Sequence, residues 1–178
     1  MPDKIKSVFE TLNSINVNDK TETKGNLTYL SWAWAWGEVK KVYPEATYTV
    51  YERETQCGPV NYFTDGRTCW VKTGVTINGL EHIEMLPVMD FRNQAVTLEK
   101  LTSMDVNKTI QRSLTKAIAR HGLGLYIYAG EDLPEDEAET IRKKAEAQAD
   151  ELKKIDAKIK EKKEPAAAVK TVSAVPGW

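Results

Sequence analysis

The chain has 178 residues, of which 25 are Lys or Arg, 26 are Asp or Glu and 41% are hydrophobic. This composition is typical of a soluble globular protein and excludes a wholly disordered chain. No apolar run approaches the ~20 residues that span a bilayer, and the first ten residues lack the apolar stretch of a signal peptide, so we expect a cytoplasmic protein. Two cysteines, Cys57 and Cys69, are too few for a disulfide scaffold, and we expect both to be buried thiols.

The composition changes after residue 130, which predicts three regions. Residues 1–130 hold 15 Lys or Arg, 14 Asp or Glu and almost all of the aromatic residues. Residues 131–164 are dominated by Ala, Glu and Lys, and residues 165–178 have little to bury. We therefore expect a domain over 1–130, a charged helical extension over 131–164 and a disordered tail over 165–178. Because the charge of 1–130 is nearly balanced, a nucleic-acid site there requires local placement of charge.

The first third of the chain predicts two helices. Apolar residues recur at helical spacing over residues 4–12, which predicts a short amphipathic helix, and the polar residues 13–26 predict a loop. Ser31 is a candidate N-cap for a second helix that ends before Pro44.

Residues 47–89 change to the two-residue period of β-strands. The Asn78-Gly79 pair is a strong signal for a tight hairpin turn. The predicted strands cover residues 47–54, 60–64, 68–77 and 80–89. With helices before and after them, they predict an α+β fold, in which an antiparallel β-meander of three to four strands packs with a long helix.

The long helix, predicted over residues 105–121, is the most informative element. Ser103 or Asp105 is a candidate cap, and Gly122 ends the helix. Its apolar residues fall on one face and can bury against the sheet, while four basic residues at i+4 steps form a slanting stripe on another face. A row of cations with ~6 Å steps can follow a phosphate backbone, although an ordinary solvated face explains the stripe equally well. The stripe consists of Lys108, Arg112, Lys116 and Arg120.

Other basic and aromatic residues are candidates for the same interface. Basic residues attract nucleic acid independently of its sequence, and exposed rings stack on unpaired bases. Most rings are expected in the core, since large aromatics drive burial in a small domain. In the second helix we expect Trp32 and Trp36 to face the core and Trp34 to be more exposed. The additional candidates are Arg53, Arg67, Lys72, Lys40, Lys41 and Trp34.

Signatures of catalysis are missing from the sequence. There is no phosphate-binding loop, which argues against a nucleotide-driven strand-exchange ATPase. Glu81 and Glu84, as candidate nuclease ligands, point to opposite faces of one strand, which argues against a shared metal. We interpret His121 as a residue at the C-terminal end of the long helix, a position that the helix dipole favours. We expect no enzyme activity, no cofactor and no metal. The side chains that could ligate zinc have spacings that match no compact zinc pattern: Cys57, Cys69, His82 and His121.

Two segments carry a resemblance to a known family. The first is LTYLSWAWAWGEVKKVYPEATYTV, and the second, after the predicted meander, is DVNKTIQRSLTKAIARHGLGLYIYAGEDLP. Together they resemble phage proteins of the Sak type, which are single-strand annealing proteins distantly related to the eukaryotic annealing protein Rad-fifty-two. The resemblance covers roughly residues 26–134, and the helix with its Gly-Leu-Gly end is its more specific half.

The resemblance implies a phage- or prophage-encoded protein that binds single-stranded DNA and anneals complementary strands in homologous recombination without ATP. It further implies a homo-oligomer, either a ring or a filament, with DNA in a positively charged groove between the meander hairpin and the long helix. Lys116 best matches a basic residue that contacts the phosphate backbone in the superfamily, and Arg112 and Arg120 lie a turn to either side. Thr115 stands before it, where the superfamily often has a second basic residue.

Two alternatives remain open at the level of the sequence. One is a single-stranded-DNA-coating protein that does not anneal. The other is a phage interaction or scaffold protein that acts through its C-terminal tail, where Trp178 follows Pro176-Gly177 as a candidate docking peptide for a replication or recombination protein.

Overall fold

The computed structural model describes residues 6–24 and 27–129 and, beyond them, nine helical positions: 140, 141, 143, 144, 147, 148, 150, 151 and 154. The predicted tail over 165–178 and most of the predicted extension over 131–164 lie outside the described residues. No helix among the described residues is long and apolar enough to cross a bilayer. The fold of the described part is α+β with antiparallel sheets, as predicted.

The predicted N-terminal helix is present as α1, Val8–Asn13. Ser7 and Glu10 form a capping box, in which the Ser7 hydroxyl accepts the Glu10 amide at 3.1 Å and the Glu10 carboxylate accepts the Ser7 amide at 2.8 Å. Leu12 is fully buried and anchors α1 to the core.

The predicted loop over 13–26 is wrong in its second half. Residues Thr21–Lys24 form strand β1, which pairs antiparallel with β2, Leu27–Leu30. These two strands make a small sheet of their own. The sequence TETK has no apolar alternation, so its pattern resembled a loop, and its pairing with β2 is what makes it a strand.

Helix α2, Trp32–Val42, begins after Ser31 and ends before Pro44, as predicted. Its buried face carries Ala35 and Val39, and Trp36 packs against the same core. Trp34 is half exposed, as expected. The expectation for Trp32 is wrong, since this side chain is 42% exposed. It is the first residue of the helix, where it borders two surface clefts instead of the core.

The main sheet has four strands: β3 (Thr47–Val50), β4 (Phe63–Thr64), β5 (Cys69–Ile77) and β6 (Leu80–Pro87). Strand β5 is central, and β6 pairs with it along one edge from Trp70↔Pro87 to Ile77↔Leu80. Strands β3 and β4 pair with β5 at different residues and therefore share its other edge. The turn between β5 and β6 has positive φ at Asn78 and Gly79, as their sequence predicts.

Helix α3, Ser103–Arg120, packs on β5 and β6. Its cap is Thr102 and not Ser103 or Asp105, because the Thr102 hydroxyl accepts the Asp105 amide at 3.2 Å while the Asp105 carboxylate closes the capping box. Inside the interface, the fully buried hydroxyls of Ser113 and Thr73 lie 2.7 Å apart and satisfy each other.

The end of α3 is buried at His121, which is 2% exposed. Its Nε2 lies 2.8 Å from the Val75 carbonyl oxygen, and since a carbonyl only accepts, Nε2 carries the proton and donates it. Burial lowers the pKa of His121, and the neighbouring His82 ring, 4.3 Å away, lowers the pKa further. The helix dipole was expected to stabilise His121 at this position, but desolvation of the charged imidazolium outweighs that effect on the pKa.

Gly122, directly after α3, provides a test of how tightly α1 packs there. Its φ is +114°, and a Cβ at this position would lie 2.7 Å from the Phe9 carbonyl oxygen in the backbone of α1. Because both strain and a backbone clash result, we expect Gly122→Ala to lower the free energy of unfolding by about 2–3 kcal/mol in urea titrations.

The matched control is Gly37→Ala in α2, where nothing lies within 4 Å of the added methyl group. There we expect no loss, and a gain of up to ~1 kcal/mol from helix propensity. Equal unfolding midpoints for Gly122→Ala and the wild type would contradict the close approach of α1.

Candidate nucleic-acid interface

An open groove of about 1290 Å³ runs along the face of α3 that points away from the main sheet. Its second wall is formed by the β1–β2 hairpin, and the residues after β6 and the 3-10 helix over Leu125–Tyr128 complete it. The resemblance implied a groove between the meander hairpin and the long helix. Here the β5–β6 hairpin packs directly against α3, and only the segment that follows it, from Met89 to Asn93, borders the groove.

Three of the four stripe residues line this groove: Lys108, Arg112 and Lys116. The Arg112 guanidinium lies 5.7 Å from the centre of the Tyr29 ring, and the Lys116 ammonium lies 5.4 Å from the centre of the Tyr128 ring. Contacts of this kind attract a cation to the face of an aromatic ring. Basic residues and aromatic rings therefore lie side by side along the groove.

Arg120 does not join the other three residues of the stripe. Its Nε donates to the Glu84 carboxylate at 2.5 Å, and this ion pair links α3 to β6. Each i+4 step turns a side chain by about 40° around the helix, so three steps carry Arg120 by about 120° from Lys108. That rotation brings Arg120 beside the sheet and out of the groove.

The candidates in the main sheet lie outside the groove. Lys72 belongs to the face of β5 opposite Thr73, hence away from α3, and its Nζ is 4.4 Å from the centre of the Tyr51 ring. The Arg53 guanidinium stacks at 5.8 Å on Tyr62, and Arg67 is exposed in the turn before β5.

The candidates in α2 also lie outside the groove. The Lys40 ammonium donates to the carbonyl oxygens of Pro44 and Ala46, which ties down the chain after the helix, and Lys41 pairs with Glu38 at 2.7 Å. The exposed ring of Trp34 has the Lys20 ammonium 4.5 Å from its centre.

Carboxylates also line the groove, and two of them are already used by the fold. Asp105 closes the cap of α3, and Asp90 accepts the amides of Arg92 and Gln94 at 2.8 and 2.9 Å. The groove-lining Asp150 is one of the nine described helical positions beyond residue 129. A carboxylate from the C-terminal region therefore lies at the groove, which sequence reasoning did not predict. The groove-lining carboxylates in the described residues are Glu22, Asp90, Asp105 and Asp150.

Several aromatic residues of the groove were missed by sequence reasoning. Tyr126 and Tyr128 lie in the 3-10 helix that follows α3, and Tyr29 lies in β2, a strand that was not predicted. The Tyr126 hydroxyl accepts the Val17 amide at 3.3 Å and donates to Asn18, and burial raises its pKa. No local pattern predicts this group of rings, because it is assembled from two segments that lie far apart in the chain.

The residues considered above as nuclease or zinc ligands do not come together in the part of the chain that the structure describes. Glu81 and Glu84 do point to opposite faces, as predicted, since Glu81 accepts the Tyr51 hydroxyl at 2.9 Å on one side and Glu84 meets Arg120 on the other. Cys69 is buried, but Cys57 is exposed, so the expectation of two buried thiols is wrong for Cys57. In residues 6–24 and 27–129 and the nine helical positions, no three His, Cys, Asp or Glu side chains could hold a metal together.

Comparison with known proteins identifies the family. The model of the Sak Single Strand Annealing Protein family matches residues 6–164, which is most of the chain and includes the groove. No curated protein and no solved structure matches the chain. Because one family model covers the domain with α3, the β1–β2 hairpin and both walls of the groove, the chain belongs to the Sak single-strand annealing protein family.

Proposed function

We propose that this protein binds single-stranded DNA in the groove along α3 and anneals complementary strands without ATP. One observation supports this best: Lys108, Arg112 and Lys116 lie on one wall of an open groove that also carries aromatic rings. Cations spaced ~6 Å apart along a helix match the repeated charge of a sugar–phosphate backbone. The family membership supports the annealing of the strands.

The proposed mechanism follows from where the charge lies. Phosphates that contact the helix release their counterions, which provides binding without sequence preference. The exposed rings offer sequence-tolerant stacking to nearby bases. A strand held by its backbone keeps other base edges accessible to a complementary strand, and pairing of the two strands forms no covalent bond and needs no catalytic group.

Only three cations line the groove among the described residues of one subunit, which implies that several subunits act together. Three groove cations give one copy a modest, salt-sensitive affinity. A homo-oligomer, either a ring or a filament, places such grooves in series on one strand and raises the effective concentration for each further contact. We propose this arrangement for phage homologous recombination in the host cytoplasm, with the C-terminal tail available to a replication or recombination protein.

The direct test is the annealing rate of two complementary labelled oligonucleotides, measured with and without the full-length protein, in the absence of ATP and over a salt series. We expect acceleration at low salt that fades as salt rises, because counterion release supplies the binding free energy. Strand binding without acceleration would indicate a coating protein, and the absence of both at low salt would refute the proposal.

The groove cations are tested by Arg112→Gln and Lys116→Gln. Each variant removes one positive charge at the strand, so we expect binding to weaken by about threefold to tenfold for all DNA sequences. The slope of log K against log salt should also become shallower by about 0.7 for each variant. Fluorescence anisotropy with oligonucleotides of different sequence measures both quantities.

The matched control is Lys100→Gln, which removes an exposed positive charge outside the groove. We expect its affinity and its salt slope to equal those of the wild type. If the groove variants and this control behave alike, the protein responds to its total charge and the stripe is an ordinary solvated surface.

Asp150 tests the opposite effect, since removing a negative charge from the groove should strengthen DNA binding. Its carboxylate lines the groove, so it repels a bound phosphate, whereas the exposed neighbour Glu151 does not line the groove. We expect Asp150→Asn to tighten binding of single-stranded DNA by about twofold to threefold at low salt, and Glu151→Gln to have no such effect. Equal affinities for both variants would place the bound strand away from Asp150.

A further inference from the structure

A second, smaller cleft opens between α2, β3 and α3. Its volume is about 280 Å³, just below the range of roughly 300–1,000 Å³ that is typical of pockets for drug-sized ligands. Its deepest lining residues belong to the core, since Val75 and Ile118 are almost fully buried. The rings of Trp32, Trp36 and Tyr48 provide aromatic walls, and Trp36 and Tyr48 meet edge to face at 5.3 Å. The cleft therefore suits a small, flat and largely apolar group.

The more exposed part of this cleft carries three amide side chains. Asn107 is exposed, and Asn61 and Gln111 are half-buried. Asn107 and Gln111 are one turn apart on α3 and so project from the same side of the helix. In the part of the chain that the structure describes, none of these three amide groups makes a hydrogen bond to protein, and Gln111 takes part in a side-chain hydrogen bond only through its backbone oxygen. Amides offer both donors and acceptors, which a polar edge of a ligand can use.

The cleft and the groove along α3 are neighbours on the protein surface. Trp32 and Gln111 line both cavities, so these two side chains border a ligand in either one. Positive charge stays in the groove, because no basic or acidic side chain lines the cleft among the described residues. The cleft therefore offers no opposite charge to a phosphate. It does offer aromatic walls and amide groups to an uncharged aromatic ring with a hydrogen-bonding edge.

We propose that this cleft takes one unpaired nucleobase of the strand bound in the groove. The inference rests on the proposed function. The base stacks on the tryptophan walls, its polar edge meets the amides of Asn61, Asn107 and Gln111, and its phosphate stays with the α3 cations. One base held in each subunit fixes the register of the strand, while the neighbouring bases remain available for pairing.

The position of the base is tested directly by photocrosslinking the full-length protein to oligo-dT that carries 5-iodouracil, which reacts with nearby aromatic side chains. We expect crosslinks at Trp36 or Tyr48, since these two rings line the cleft and not the groove. Crosslinks confined to groove residues such as Tyr29 and Phe91 would overturn the proposal. This measurement needs no altered protein.

The role of the amides is tested with the double variant Asn61→Leu/Asn107→Leu. Its affinity is compared for oligo-dT and for an abasic oligomer with the same number of phosphates. We expect the variant to bind oligo-dT about threefold to tenfold more weakly than the wild type, because the base edge loses hydrogen bonds, and to bind the abasic oligomer equally well. The matched control Gln56→Leu removes an exposed amide that lines neither cavity, and it should leave both affinities unchanged.

The outcomes separate this proposal from the proposed function. If the double variant binds both oligomers as the wild type does, the base cleft is refuted while binding in the groove stands. If the double variant changes the oligomeric state and not the preference for bases, the cleft receives a neighbouring copy, which also overturns the proposal. If the wild type binds neither oligomer at low salt, the proposed function fails, and the base cleft fails with it.

Discussion

The packing of α3 on β5 and β6 is the constraint on which the other features depend. Apolar side chains such as Leu114 and Ile118 bury on this interface, and the Ser113–Thr73 hydroxyl pair adds a buried hydrogen bond that fixes the position of the helix on the sheet. Once that face is buried, the direction of every other side chain on α3 follows from helical geometry. Helical geometry therefore places the cations at positions 108, 112 and 116 on the face of α3 that points away from the main sheet.

The second wall of the groove is formed by segments that lie opposite α3. The β1–β2 hairpin and the 3-10 helix after α3 form its far wall, and Tyr126 holds that helix to Val17 and Asn18, which shortly precede the hairpin. The chain turns into that helix at Gly124, where φ is +64° and a Cβ would come 3.1 Å from Val17. A close approach of three distant segments thus creates a cavity that none of them contains alone.

The main parts of the fold were predictable, because each has a local cause. Ser31 and Pro44 mark the limits of α2, the Asn78-Gly79 pair dictates the β5–β6 turn, and the apolar period of α3 requires a sheet behind it. The prediction failed where no local signal exists. Strand β1 is polar on both faces and is held by pairing, and Trp32 has the spacing of a core residue but lies at the end of its helix.

The residues of the candidate site also divide into those that a local pattern predicts and those that it does not. Three of the ten predicted residues, all on α3, line the groove, since a stripe on one helix can be derived from the helical period alone. Five of the six remaining basic residues contact other groups, and contacts such as Arg120 with Glu84 or Lys72 with Tyr51 join separate elements, which sequence patterns do not report.

The fold class, the position of the long helix and the existence of a cationic row on that helix follow from the amino-acid sequence alone. Those properties depend on the order of neighbouring residues and on fixed helical and strand periods. Tertiary contacts determine the other features: the row ends at Lys116, tyrosine rings lie opposite it, Asp150 lines the groove and a cleft with three amides opens beside it. These features arise from contacts between residues far apart in the chain, and a local pattern carries no information about which distant side chain will fill the space in front of it.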